Sequence, residues 1–186
     1  TSAAFTIKGA LTITAPTAGE ILTVNGSKTI TWTTAGTVGT VNLYYSVDNF
    51  VTQTLITATP ATNTGSYIWT VADAISTNAK IKVVDADAGH PASEVISPAF
   101  TIKGALSVTA PTAGEVLSVN GAKTITWTKT GTIATVNLYY STNDFTTQTL
   151  IAAAVTGTSY AWTVPDAIST NVKIKVADAD AGHPAS

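Results

Sequence analysis

The strongest constraint on this chain is that it contains most of itself twice. Residues 4–32, "AFTIKGALTITAPTAGEILTVNGSKTITW", return at 99–127 as "AFTIKGALSVTAPTAGEVLSVNGAKTITW", an offset of 95 residues. "VNLYYS" recurs at 41 and 136, and "YIWTVADAIST" comes back as "YAWTVPDAIST". Between those last two blocks the second copy is two residues shorter, "IAAAVTGTSY" against "ITATPATNTGSY". The shortening reads as a loop-tip deletion, which costs little. A sequence repeated at this length predicts a structural unit repeated with it.

Within each copy the hydrophobic period is two, the period of a strand with one buried face. In "KTITW" Ile30 and Trp32 point one way and the threonines the other. Val41, Leu43 and Tyr45 share a face of "VNLYYS", as do Tyr67, Trp69 and Val71 in "SYIWTV". Ile81 and Val83 alternate with outward Lys80 and Lys82, and Lys173 and Lys175 repeat that pattern. Outward lysines of this kind guard a sheet against edge-to-edge pairing. Asn25-Gly26 is a hairpin signal, and "APTAG" at 15–19 supplies a further turn. No segment sustains a 3.6-residue period. About seven short strands in each copy is the pattern of an Ig-like or fibronectin-III-like antiparallel sandwich. The expected fold is therefore all-β, two such sandwiches in tandem, with Trp32, Trp69, Trp127 and Trp162 in their cores.

Composition narrows the function classes. Only 11% of residues are charged and the net charge is -2, with no Arg and no basic cluster, which argues against nucleic acid. No Cys is present, so disulfides and thiolate metal sites are excluded. The longest apolar runs, such as "IAAAV" at 151–155, fall far short of the ~20 residues that cross a bilayer as a helix. Abundant Thr suits strands with a polar outer face. With so few charges it points to an extracellular or cell-surface β protein rather than a cytosolic enzyme.

The series "PTAGE…KTITW…VNLYYS…YIWTV…KIKV…FTI" resembles the extracellular Ig-like module at the N-terminus of the fungal Kre9/Knh1 cell-wall proteins, a module also found in tandem in bacterial surface proteins. The resemblance spans nearly all of both copies. It is carried by the Pro-x-x-Gly-Glu turn (Pro16, Gly19, Glu20; Pro111, Gly114, Glu115), the Ile-Thr-Trp strand, the Tyr-x-Trp-Thr-Val strand and the Phe-Thr-Ile end. It implies a surface or wall setting without catalysis, and it brings no active-site residues. The "DADAGHP" loop lies outside that pattern.

That loop holds the few candidates for chemistry. Asp85 and Asp87, repeated as Asp178 and Asp180, alternate before a glycine, and oxygen-rich loops of that kind suit Ca²⁺. Glu94 could add a ligand in the first copy. The competing reading is a solvated acidic turn, since the full ligand series of a calcium loop is missing. His90 and His183 are the only histidines, one per copy, which makes a poor metal site. Ser93, His90 and Asp87 lie too close together in sequence for a catalytic triad, whose members converge from separate elements. Otherwise no cofactor is indicated. Outward Tyr44 and Tyr139 could stack on a sugar, making a cell-wall glycan a candidate partner, or could cover a sheet face. Asn25-Gly26-Ser27 is a glycosylation sequon, but the second copy reads Asn120-Gly121-Ala122, and turn geometry explains the Asn-Gly better.

The repeat is cut out of phase with the sandwich it predicts. Residues 10–104 are expected to form one complete sandwich, closed by its own "FTIKG" strand. Residues 105–186 are expected to form a second that lacks this strand, and residues 1–9 a detached last strand, with Phe5 and Ile7 apolar and Thr6 and Lys8 polar. An incomplete sandwich exposes backbone donors, acceptors and an apolar slot. A strand from another chain is a known way to fill one. The expectation is a structural subunit that assembles with itself, head to tail, by adding residues 1–9 to the open domain of the next copy. A window of one long covalent array, or a carbohydrate-binding adhesin module, are the alternatives.

Overall fold

The computed structural model describes residues 1–184. The alternating segments become strands, and no helix occurs among the described residues. None is therefore long and apolar enough to cross a membrane. The chain divides into two compact units, Thr1–Ile102 and Lys103–Ser186.

Unit 1 contains β1 (Ala10–Ala15), β2 (Ile21–Thr23), β3 (Ser27–Ala35), β4 (Thr40–Ser46), β5 (Thr54–Leu55), β6 (Ala61–Thr62), β7 (Ser66–Thr70), β8 (Ser76–Asp85), β9 (Glu94–Ile96) and β10 (Phe100–Lys103). One sheet runs β1-β3-β7; the other runs β2-β10-β8-β4-β5, with β6 on β4 and β9 on β8. Leu11, Ile30, Trp32 and Trp69 from the first sheet meet Val41, Leu43, Ile81, Val83, Phe100 and Ile102 from the second in one core. Apart from Leu11, these are residues that the two-residue period assigns to the inner faces; Tyr45 and Tyr67, assigned there too, are only partly buried against this core. Each large apolar side chain so buried stabilises the fold by roughly 1.5–3 kcal/mol.

Unit 2 contains β11 (Ala105–Ala110), β12 (Ala122–Thr130), β13 (Thr135–Ser141), β14 (Thr149–Thr156), β15 (Ser159–Thr163) and β16 (Lys173–Asp178). Its sheets run β11-β12-β15 and β14-β13-β16. Ile125, Trp127, Val136, Leu138, Trp162 and Val176 are buried. The registers repeat: Ile13 lies opposite Trp32 as Val108 lies opposite Trp127, and Leu43 opposite Val83 as Leu138 opposite Val176.

Two local expectations change. Asn25-Gly26 does form a tight turn, with Asn25 at φ 61° and Gly26 N–H donating to Thr23 O at 2.9 Å. However, the strands it joins belong to different sheets, so it is not a hairpin. Its backbone instead exchanges hydrogen bonds with Val71 beyond β7, Asn25 N to Val71 O at 2.9 Å and Val71 N to Gly26 O at 2.8 Å. The two-residue shortening is also more than a trimmed tip. In unit 1 Asn63 Oδ1 accepts the Trp32 indole N–H at 2.8 Å, and Asn63 Nδ2 donates to Val38 O at 2.9 Å. Asn63 and Thr64 stand where unit 2 has Gly157 alone, and the buried Trp127 Nε1 has no hydrogen-bond partner among the described residues. The separate β5 and β6 are replaced there by one long strand, β14.

Candidate functional site

The "AFTIKG" segment occurs twice, and the two copies have opposite fates. At 99–104 it forms β10, where side-chain alternation sends Phe100 and Ile102 into the core, 1% and 0% exposed. Phe100 lies opposite Ala79 and Ile102 opposite Ser76 on β8. On the other side Gly19 N–H donates to Ala99 O at 3.0 Å and Thr101 N–H to Glu20 O at 2.8 Å. Phe100 also meets the Trp69 ring edge-on, with centroids 6.4 Å apart. At 4–9 the identical residues form no strand, leaving Phe5 and Ile7 at 77% and 80% exposure beside exposed Thr6 and Lys8. This segment ends at Gly9, whose carbonyl accepts the Ser93 hydroxyl at 2.7 Å. A side chain at Gly9 would meet the Val38 methyl at 2.8 Å, so any larger residue there would force Val38 to shift.

Unit 2 presents the slot that such a strand fills in unit 1. Its β16 is an edge strand, and it begins at Lys173, whereas β8 begins at the residue matching Ser169. The counterpart of β2, residues 116–118, forms no strand. Val172 is 42% exposed where its equivalent Ala79 is 0%, and Val119 is 37% exposed where Val24 is 2%. Val116 and Ile168 are almost fully exposed. Trp162 keeps its tilted contact with Tyr140 at 5.9 Å, matching Trp69 with Tyr45 at 5.6 Å. The result is an apolar strip beside the edge strand β16, which among the described residues pairs with β13 on one side, the combination that invites a further strand.

The aspartate loop is a clasp in unit 1. Asp87 accepts Thr40 N–H at 2.8 Å, and also takes the Thr40 hydroxyl and Gly39 N–H. The Thr40 hydroxyl first, then the Gly39 N–H, hold its carboxyl below the usual range. Asp85 accepts Asp87 N–H at 3.0 Å and faces His90 Nδ1 at 3.0 Å. Asp85, Asp87 and His90 offer ligand atoms within 4.8 Å of one another. A cation there would have to displace the donors already on Asp87. Glu94 turns instead toward Lys82, at 3.7 Å. In unit 2 Asp178 faces His183 at 2.8 Å and Asp180 accepts Gly182 N–H at 2.8 Å. The hydroxyl of Ser93 is committed to Gly9 and does not meet His90 as a triad would require.

Tyr44 and Tyr139 do not present bare rings. Lys82 Nζ lies 5.5 Å from the Tyr44 centroid and 4.9 Å from Phe50, and Lys175 lies 5.0 Å from Tyr139 and 5.3 Å from Phe145. These cation–π contacts explain why the outward lysines alternate with the aromatic strand beside them.

No protein-family model and no curated protein matches the chain. Among solved structures it is similar to the fibronectin(III)-like modules of Clostridium thermocellum CbhA, at 20% identity over 95% of this chain and 88% of that one, with a TM-score of 0.34. A marsupial T cell receptor is matched at 11% identity over 91% and 86%, with a TM-score of 0.35. A Ca²⁺-stabilized adhesin of an ice-binding Antarctic bacterium is matched at 17% identity over 99% of this chain and 47% of that one, with a TM-score of 0.28. At these TM-scores the similarity decides neither fold detail nor function.

Proposed function

We propose that the chain is a non-enzymatic structural protein of the extracellular surface, made of two Ig-like or fibronectin-III-like modules of the Kre9/Knh1 kind. It assembles with itself, head to tail, when residues 1–9 of one copy add a strand to the open edge of unit 2 in the next. One observation carries this reading: the same six residues supply a hydrogen-bonded strand with buried Phe100 and Ile102 in unit 1 and an exposed segment without strand pairing at 4–9, while unit 2 exposes apolar residues at the matching positions. Main-chain hydrogen bonds supply affinity in this mode, and alternate side-chain pockets supply selectivity. The contact joins two different surfaces, so it need not close on itself and can extend into a linear train.

The test uses the whole chain. Sedimentation and electron microscopy of the wild type should show filaments that return a 19 kDa band on denaturing electrophoresis. Phe5→Ala combined with Ile7→Ala should abolish them while leaving the monomer folded. Filaments that survive both substitutions would sink strand addition. A much larger band from native material would assign the strand to a covalent array of the same repeat instead. A second, carbohydrate-binding reading is favoured by an open cleft of about 420 Å³ that Tyr140, Leu150, Tyr160 and Trp162 line. A glycan array on which Tyr160→Ala binds as the wild type does would remove it.

A further inference from the structure

Resting on the strand-addition reading, we infer that the donor strand enters in a single register set by Ser2, which takes in the next copy's unit 2 the place that Ser97 holds in unit 1. The last strand of unit 1 is not continuous. β9 pairs with Lys82–Val84, β10 pairs with the start of β8, and Ser97, Pro98 and Ala99 step between them. At this step the backbone of β8 would lose a partner. Ser97 supplies one: its hydroxyl accepts Ile81 N–H at 2.9 Å, and its own N–H donates to Ile81 O at 2.8 Å. The hydroxyl proton goes to Pro98 O at 2.8 Å. Ser97 is buried, so an amide left bare there could not turn to water.

Residues 4–9 match 99–104 one for one, so counting back places Ala3 on Pro98, Ser2 on Ser97 and Thr1 on Ile96. Across the interface, Ile174 is the counterpart of Ile81. Ser2 Oγ therefore accepts Ile174 N–H. Phe5 falls opposite Val172, Ile7 opposite Ser169, and Thr1 opposite Lys175, following the pairs Phe100–Ala79, Ile102–Ser76 and Ile96–Lys82. Proline donates no N–H, so Ala3 in place of Pro98 forfeits no hydrogen bond.

Two kinds of misregister compete. A slip of one residue turns Phe5 and Ile7 to solvent and is excluded by burial alone. A slip of two keeps the alternation, and only the placement of particular side chains opposes it. Phe5 would then sit where isoleucine belongs, and Ser2 would leave Ile174 N–H without an acceptor. Ser2 is thus a specificity-determining residue of the joint, a role its exposure and small size conceal in the sequence.

The absence of native cysteine makes the register directly readable. Oxidised filaments of a Thr1→Cys/Lys175→Cys chain should give a ladder at multiples of 19 kDa on non-reducing denaturing gels. The register-shifted pair Thr1→Cys/Lys173→Cys should give none. Ser2→Ala should raise the critical concentration for assembly about tenfold, the size of one lost buried hydrogen bond. A ladder from the Lys173 pair alone, or filaments with no ladder from the Lys175 pair, would overturn the register and leave strand addition standing. Filaments insensitive to Phe5→Ala with Ile7→Ala, or no filaments from the wild type, would overturn both.

Discussion

Phe100 and Trp69 meet edge to face at 80°, whereas Phe5, in the identical hexapeptide, lies 77% exposed. The same side chain therefore has two energetic roles. Phe100→Ala should destabilise unit 1 by about 3–5 kcal/mol, the usual cost of emptying a buried phenylalanine site. Phe5→Ala should change monomer stability by less than about 0.5 kcal/mol and act on assembly alone. Chemical denaturation of the two variants below the assembly concentration checks this; equal losses would contradict it.

Trp32 and Trp127 occupy equivalent core positions with unequal polar satisfaction. Trp32 donates to Asn63, while the Trp127 indole N–H is buried and has no partner among the described residues. Replacing either by Phe loses similar volume. However, Trp32→Phe also takes from Asn63 Oδ1 its shorter hydrogen bond, leaving the one from Thr34 at 3.4 Å, and Trp127→Phe removes an unsatisfied donor. Trp32→Phe should be the costlier by about 1–3 kcal/mol. Thermal or urea melts of the two single variants supply the comparison.

The open edge should be visible in hydrogen exchange. Ile81 N–H is bonded to a buried hydroxyl, whereas its counterpart Ile174 lies on the edge strand β16. In monomeric protein the Ile174 amide should exchange roughly tenfold faster or more than that of Ile81, since protection follows local contact and burial. Assembly should then protect Ile174 and leave Ile81 unchanged. Equal protection of the two amides in the monomer would show that the edge is closed.

The Asp87 clasp gives a pH dependence of known sign. Its folded pKa is lowered, by the Thr40 hydroxyl first and then by the Gly39 N–H. Its contribution to stability is therefore present above the unfolded aspartate value of about 3.9 and is lost as pH falls through the lower folded value. The Tm gap between wild type and Asp87→Asn should be open at neutral pH and should close on acidification toward about pH 3. A gap that widens on acidification would refute the clasp.

Side-chain alternation is a local property of consecutive residues, and so it was readable. Ile30 with Trp32, Val41 with Leu43 and Ile81 with Val83 are all buried, as their spacing requires. The duplicated hexapeptide was readable too, because identity needs no coordinates. Partner choice was not. The Asn25-Gly26 turn says that the chain reverses, but Val71, 46 residues after Asn25, decides what it bonds. Asn63 reaches Trp32 and Asp87 reaches Gly39 and Thr40 across similar gaps, through hydrogen bonds that exist only once the sheets have assembled. Ser97 looks like any linker serine until β8 is seen to need its hydroxyl. The sequence by itself determined the repeat, the strand periodicity and the core faces. Tertiary structure alone decided which strands pair and which side chains cap them, because pairing is set by contacts between segments distant in the chain.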